Sequence, residues 1–144
     1  MATRTRLPLE LRELIKSGPL THLTTINADG TPQVTVIWIG SDGDDIVSGR
    51  MTRQRKHGNI ERDPRVVLSF VAPHVPGTFL NEYAVLRATA AIETGGAWDL
   101  LNRLAKVYMT PSSEFPAPKR DGGFVVRYSV QRISGVGPWV PTAH

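Results

Sequence analysis

Apolar and polar positions alternate along most of this chain, and the period of the alternation changes three times. Residues 8–16 keep a helical period: Leu7, Leu11, Leu14 and Ile15 share one face, Pro8 suits a first turn, and Gly18-Pro19 stops the run. Residues 20–26 and 33–39 are rich in Thr, Val and Ile and flank Asn27-Ala28-Asp29-Gly30, whose Asp-Gly predicts a tight turn between two strands. A second turn at 41–44 leads into a strand over 45–49. The first third of the chain therefore reads as an antiparallel meander.

Polar residues 53–62 predict a short helix, stopped by Asp63-Pro64. Residues 66–72 read as a central strand, 73–77 as a loop and 82–94 as a fifth strand, broken by Gly95-Gly96. Helical spacing returns over 97–108, with Trp98, Leu101, Leu104, Ala105 and Tyr108 on one side. Residues 110–123, with three prolines and two glycines, predict a mobile or lid-like loop. The last strand covers 124–136 and ends in Gly137-Pro138-Trp139. Six short strands and three short helices predict a mainly β fold, a closed antiparallel barrel, because closure removes exposed edges. No repeat or linker divides the chain, so one domain over residues 1–144 is expected.

Composition narrows the function. The chain is 40% hydrophobic and 21% charged, as soluble globular proteins are. It has no cysteine, which excludes disulfides, thiolate nucleophiles and cysteine metal sites and suits a reducing cytoplasm. No stretch reaches the roughly 18–20 apolar residues of a membrane helix. No apolar run follows the basic residues 1–7, so neither a secretory signal nor a membrane association is expected. A net charge of +4 favours anionic partners, but six of the 17 basic residues (Arg50, Arg53, Arg55, Lys56, Arg62 and Arg65) fall within one short segment. That concentration points to a local anion site. A nucleic-acid surface would carry a basic stripe with stacking aromatics, and none is present, so nucleic acid is not an expected partner.

The segment TRQRKHGNIERDPRV carries the most chemistry. Arg55 and Lys56 stand where a strand hands over to a helix, so two cations and free backbone N–H groups can converge on one anion, with the Thr52 hydroxyl beside them. A solvated helix face accounts for the same charges, since charge runs are usually exposed. His22, His57, His74 and His144 lack metal-ligand spacing, no HExxH or acidic cage occurs, and His22 reads as a half-buried strand residue. No GxSxG or phosphate-binding glycine loop is present, and no pair of carboxylates reads as acid and base. Trp38, in mid-strand, and Trp139 can each wall a planar ligand or simply pack a core or a dimer contact. With no catalytic residue of its own to name, an enzyme of this kind needs a cofactor.

Four pieces in order, LTHLTTINADGTPQVTVIW, DGDDIV, RKHGNIERDPRVVLSF and RISGVGPW, resemble the flavin/deazaflavin oxidoreductases related to pyridoxamine 5'-phosphate oxidase. The resemblance runs from about Leu20 to Trp139 and implies a small split β-barrel, a homodimer with its cofactor at the subunit interface. It implies that Arg55 and Lys56 hold the cofactor's phosphate, with Thr52 at a hydroxyl position and Asn59 at a recurrent one. The strands matching 33–38 and 46–49, which include Thr35, Trp38, Ser48 and Gly49, would lie along the tricyclic ring through backbone groups. The terminal Gly137-Pro138-Trp139 is similar to members using coenzyme F420, an 8-hydroxy-5-deazaflavin. The chain departs from pyridoxamine phosphate oxidases proper in lacking a C-terminal Arg/His pair for the substrate's phosphate. The expectation is an F420-dependent reductase passing a hydride to a small electron-poor molecule. Flavin mononucleotide (FMN) in the same site is the alternative, as is a non-catalytic carrier of cofactor or haem.

Overall fold

The computed structural model describes residues 4–140, so His144 and the first three residues lie outside it. In chain order the elements are α1 (Leu9–Lys16), β1 (Thr21–Ile26), β2 (Pro32–Ile37), β3 (Gly40–Asp42), β4 (Asp45–Arg50), α2 (Arg55–Arg62), β5 (Arg65–Val71), β6 (Tyr83–Thr94), α3 (Ala97–Tyr108) and β7 (Phe124–Val136). All strand pairs are antiparallel, in the order β2-β1-β5-β6-β7-β4-β3. The two edge strands of this sheet are neighbours in sequence, separated by Trp38 and Ile39 alone. Taken as one bent strand they close the sheet on itself, giving a six-membered ring of the split-barrel type.

That bend corrects two expectations. The run 33–39 is interrupted at Trp38, which lies between strands and not within one, and resumes as β3, so seven strands are formed. The first strands are also not a simple meander, because β4 pairs with β3 and β7 while β2 pairs with β1. A residue distant in sequence braces the bend. The Tyr108 hydroxyl accepts the Ile39 N–H at 3.0 Å and donates to the Pro19 carbonyl at 2.7 Å. The Tyr108 ring stacks on Trp38 at 5.1 Å and 8°. Backbone groups leaving the ladder thus keep partners, which buried amides require.

Burial follows the alternation. Leu23, Leu68, Phe70, Leu86, Tyr128 and Val130 fill the barrel, and Leu7, Leu11, Leu14 and Ile15 of the first helical face join the same core. β4 is buried on both sides: Ile46 belongs to that core, whereas Val47 packs with Ala97, Leu100, Leu104 and Val125 beneath α3. The buried face of α3 is rotated from expectation. Ala97 and Leu100 join it, while Trp98 stays half-exposed because its Nε1–H reaches out to the Ala117 carbonyl at 3.0 Å. Together with Lys106 Nζ to the Ser113 carbonyl and the Phe115 N–H to Asn102 Oδ1, that bond holds the long 110–123 loop along α3. His22 is exposed, since its side chain points out of β1.

Tyr108→Phe leaves the Ile39 N–H and Pro19 carbonyl without their common partner. It is expected to lower unfolding free energy by about 1–3 kcal/mol, read in a urea titration, with the circular dichroism of the native state retained.

Candidate functional site

Because β2 and β3 part at Trp38, the ends of β2 and β4 face one another without pairing. β3 meets β4 only as far as Val47, so Ser48, Gly49 and Arg50 have β7 on one side and no strand on the other. A notch of about 210 Å³ opens there, bounded by Val36, Ile37, Trp38, Gly49, Arg50, Lys56, Leu101 and Phe115. Gly49 lets α3 approach: a Cβ at this position would sit 3.4 Å from Leu100 and Leu101.

α2 brings Lys56 to the notch, and two devices fix that helix. At its start the Gln54 N–H donates to His57 Nδ1 at 2.9 Å. His57 is fully buried beside the Phe124 ring, centroids 5.0 Å apart, and burial pushes its pKa down, aided by Lys56. The ring is therefore neutral with its proton on Nε2, which finds no acceptor among the described residues. Further along, Asn59 Nδ2 lies 3.0 Å from each of Thr25 Oγ1, Asn27 Oδ1 and Gln33 Oε1, so two hydrogens are shared among three acceptors. Arg62 closes the knot, donating to Asn59 Oδ1 at 3.0 Å and to the Ile26 carbonyl at 2.7 Å.

Lys56 is 7% exposed and is the one buried cation among the described residues. No carboxylate or hydrogen-bond acceptor among them engages it. Burial, with Arg50 adding repulsion, lowers its pKa to about 8. The enclosed polar side-chain atoms without a partner among the described residues are Thr35 Oγ1 and His57 Nε2, so the Lys56 ammonium, on a stem that is otherwise covered, still meets solvent through the notch.

The other expected site residues are distributed unevenly. Arg55 is exposed and opens onto a different hollow, a cleft of about 570 Å³ shared with Arg53, Arg62, Asn27 and Asp29. Neighbours on a helix point about 100° apart, so Arg55 and Lys56 do not converge on one cavity. Arg53 is held by Glu61. Thr52 is exposed in the bend before α2. Trp38 lines the notch; Thr35 lies on β2 two residues before Ile37 of the notch wall, its Oγ1 buried and unpartnered. Ser48 points into the barrel, its Oγ 2.8 Å from the Tyr128 hydroxyl, which leaves its backbone toward the notch. Asn59 is committed to the knot. Trp139 is packed in the main core, its Nε1–H donating to the Tyr83 carbonyl at 3.1 Å, over Gly137 where a Cβ would collide with the ring. Sequence reasoning missed Arg50 and Phe115 as walls of the notch. Arg50 stood in the basic cluster, but nothing local marked Phe115. Among the described residues, no three His, Asp or Glu side chains converge on a metal-sized point, and no helix is long and apolar enough to cross a membrane.

Comparison with known proteins bears on this site. The family profile of pyridoxamine 5'-phosphate oxidase matches residues 7–133. An F420 reductase structure superimposes with a TM-score of 0.72 at 27% identity, covering 89% of this chain and 98% of that one. HupZ from Group A Streptococcus gives 0.65 at 19% identity, covering 95% and 99%. HutZ, the haem storage protein from Vibrio cholerae, gives 0.61 at 15%, covering 91% and 95%. The last two likenesses are of fold. No curated protein matches the sequence.

The lowered Lys56 pKa sets a pH dependence of stability. The folded chain releases this proton near pH 8, whereas an unfolded lysine keeps it to about 10.4. Between these values the unfolded state binds more protons, so Lys56 makes stability rise with pH. Urea titrations at pH 7.5 and 9.5 are expected to show that rise in the parent and a smaller one in Lys56→Met.

Proposed function

Because the chain belongs to the pyridoxamine 5'-phosphate oxidase family, we propose that its notch binds the phosphate end of coenzyme F420 and that the protein catalyses hydride exchange between F420 and a small electron-poor molecule. One observation carries the reading: a buried lysine without a counter-ion at the gap between two unpaired strand ends. The chain's own residues fit such a cofactor. Lys56 and Arg50 would hold the phosphate, the free backbone edge of Ser48 and Gly49 would meet polar groups of a ring, and Trp38 supplies an aromatic wall. When bound, F420 supplies the hydride chemistry. The protein contributes position, exclusion of water and a fixed positive potential. Arg55, in the neighbouring cleft, adds field strength and not a direct contact.

The F420 reductase neighbour supports the deazaflavin over FMN. FMN remains the second reading, because the family is named for a flavin enzyme and a phosphate beside a planar ring satisfies the same notch. Absence of cysteine suits a cytoplasmic setting.

The notch is smaller than the roughly 300–1,000 Å³ of ligand pockets that enclose their guests. Its rim continues onto β2, an edge strand whose Val34 and Val36 are 56% and 55% exposed. A second copy of the chain covering this face would bury both valines and complete the wall, in keeping with a homodimer.

Fluorescence titration is expected to give tight binding of F420 and a loss of tenfold or more in Lys56→Ala, since a charge-assisted bond contributes about 1.5–3 kcal/mol. Arg55→Ala should lose less. Equal affinity of parent and Lys56→Ala would refute the site, and tighter binding of FMN would select the flavin. Sedimentation should find a dimer that Val36→Asp weakens together with cofactor affinity.

A further inference from the structure

Residues 109–122 run outside the barrel, and among them Ser113 and Phe115 alone are half-buried; the rest are exposed. No described strand pairs with this stretch. Three bonds lay it along α3 as a ladder. The Trp98 Nε1–H donates to the Ala117 carbonyl at 3.0 Å, Asn102 Oδ1 accepts the Phe115 N–H at 2.9 Å, and Lys106 Nζ donates to the Ser113 carbonyl at 2.9 Å. Trp98, Asn102 and Lys106 stand four residues apart, which aligns them on one stripe of the helix. Ala97, Leu100, Leu101 and Leu104 occupy its buried side. The partners on the loop fall at every second residue, so the loop runs antiparallel to α3 as a strap.

We propose that this strap is the movable cover of the notch and that Phe115, the residue on it that lines the notch, determines which ring sizes are admitted. The two aromatic walls are both tied to α3, but by unequal means. Trp38 is fixed, stacked flat on Tyr108 at the end of the helix. Phe115 depends on a single backbone bond to Asn102, flanked by bonds from Trp98 and Lys106 that are exposed to water. Exposed bonds of this kind exchange readily with solvent, so the strap can lift while the sheet and α3 stay paired. Its return to the body is built for turning: Gly122 stands at a φ of +98° with open space around it, and the Gly123 carbonyl is anchored by the Gly95 N–H at 3.0 Å.

Closed, the notch holds about 210 Å³, enough for an anion and one ring. A tricyclic guest needs Phe115 to move aside, and a one-ring guest is held best when it does not. The identity of the guest rests on the function proposed above; the strap and its ladder do not.

Hydrogen exchange of the full-length protein, followed by mass, is expected to show the Phe115 amide exchanging at least tenfold faster in Asn102→Ala, with the amides of α3 unchanged. Trp98→Phe should loosen the same segment from its other end, and Asn102→Asp, which keeps an acceptor oxygen, should restore protection. In protein containing 5-fluorotryptophan, the solvent isotope shift of the Trp38 fluorine signal should at least double in Phe115→Ala. Fluorescence-monitored binding of FMN, in competition with phenyl phosphate, reads the size selection: Phe115→Ala should shift the affinity ratio at least tenfold toward the tricycle. Asn102→Ala should raise the association and dissociation rates of FMN together, leaving Kd within threefold. Unchanged exchange at Phe115 in both Asn102→Ala and Trp98→Phe overturns the strap, and an unchanged Trp38 signal in Phe115→Ala overturns its covering role. An unchanged ratio of the two phosphate esters overturns the size selection. Equal affinities of parent and Lys56→Ala would instead refute the phosphate site, leaving the exchange and fluorine results to decide the strap.

Discussion

The constraint on which the architecture turns is the closure of the sheet in two residues. A strand that has paired with β1 must leave it and meet β4 almost at once, and Trp38 and Ile39 are all the chain allows for the change. Tyr108 makes the change affordable in hydrogen bonds, taking the Ile39 N–H and bracing Trp38 from below. Everything of chemical interest follows from the gap this leaves. The facing ends of β2 and β4 have free backbone edges, and α2 inserts Lys56 between them.

A cation is not stable in such a place by default. The buried lysine is tolerated because α2 is pinned independently, through the Asn59 knot and the Gln54–His57 contact, so the helix need not be held by Lys56 itself. Positioning and chemistry are thus separated on one eight-residue helix. His57, Asn59 and Ile60 face inward and hold it, while Lys56 is left free to respond to what enters. An anion held at Lys56, as proposed above, would recover the stability that its partial burial gives up.

Much of this was legible in the sequence where periodicity was long and local. The strand expected over 66–72 forms at Arg65–Val71, that over 82–94 at Tyr83–Thr94, and the last helix and last strand fall on their expected residues. Closure of six strands was readable too, from the number of short strands and tight turns. Illegible were the features fixed by partners far away in sequence. The break at Trp38 depends on a tyrosine 69 positions from Ile39. Trp98 left the buried face of its helix for a carbonyl in the following loop, and Ser48 turned inward to Tyr128. The separation of Arg55 from Lys56 belongs to a third class. It follows from helix geometry alone, because adjacent helical residues diverge, and the motif's compactness in sequence concealed it.

One consequence of the bent strand concerns tolerance of shape. The two strand ends that flank the notch share no ladder hydrogen bonds, so spreading them at Trp38 and Ile39 would break no paired rung and would work only against the Tyr108 hydrogen bond and stack. In a fully laddered barrel the same widening would rupture several rungs together. An aperture of this kind would widen at the cost of one side chain's contacts and not of a row of backbone bonds, so its width is set by a single tyrosine while the ring of strands stays as it is.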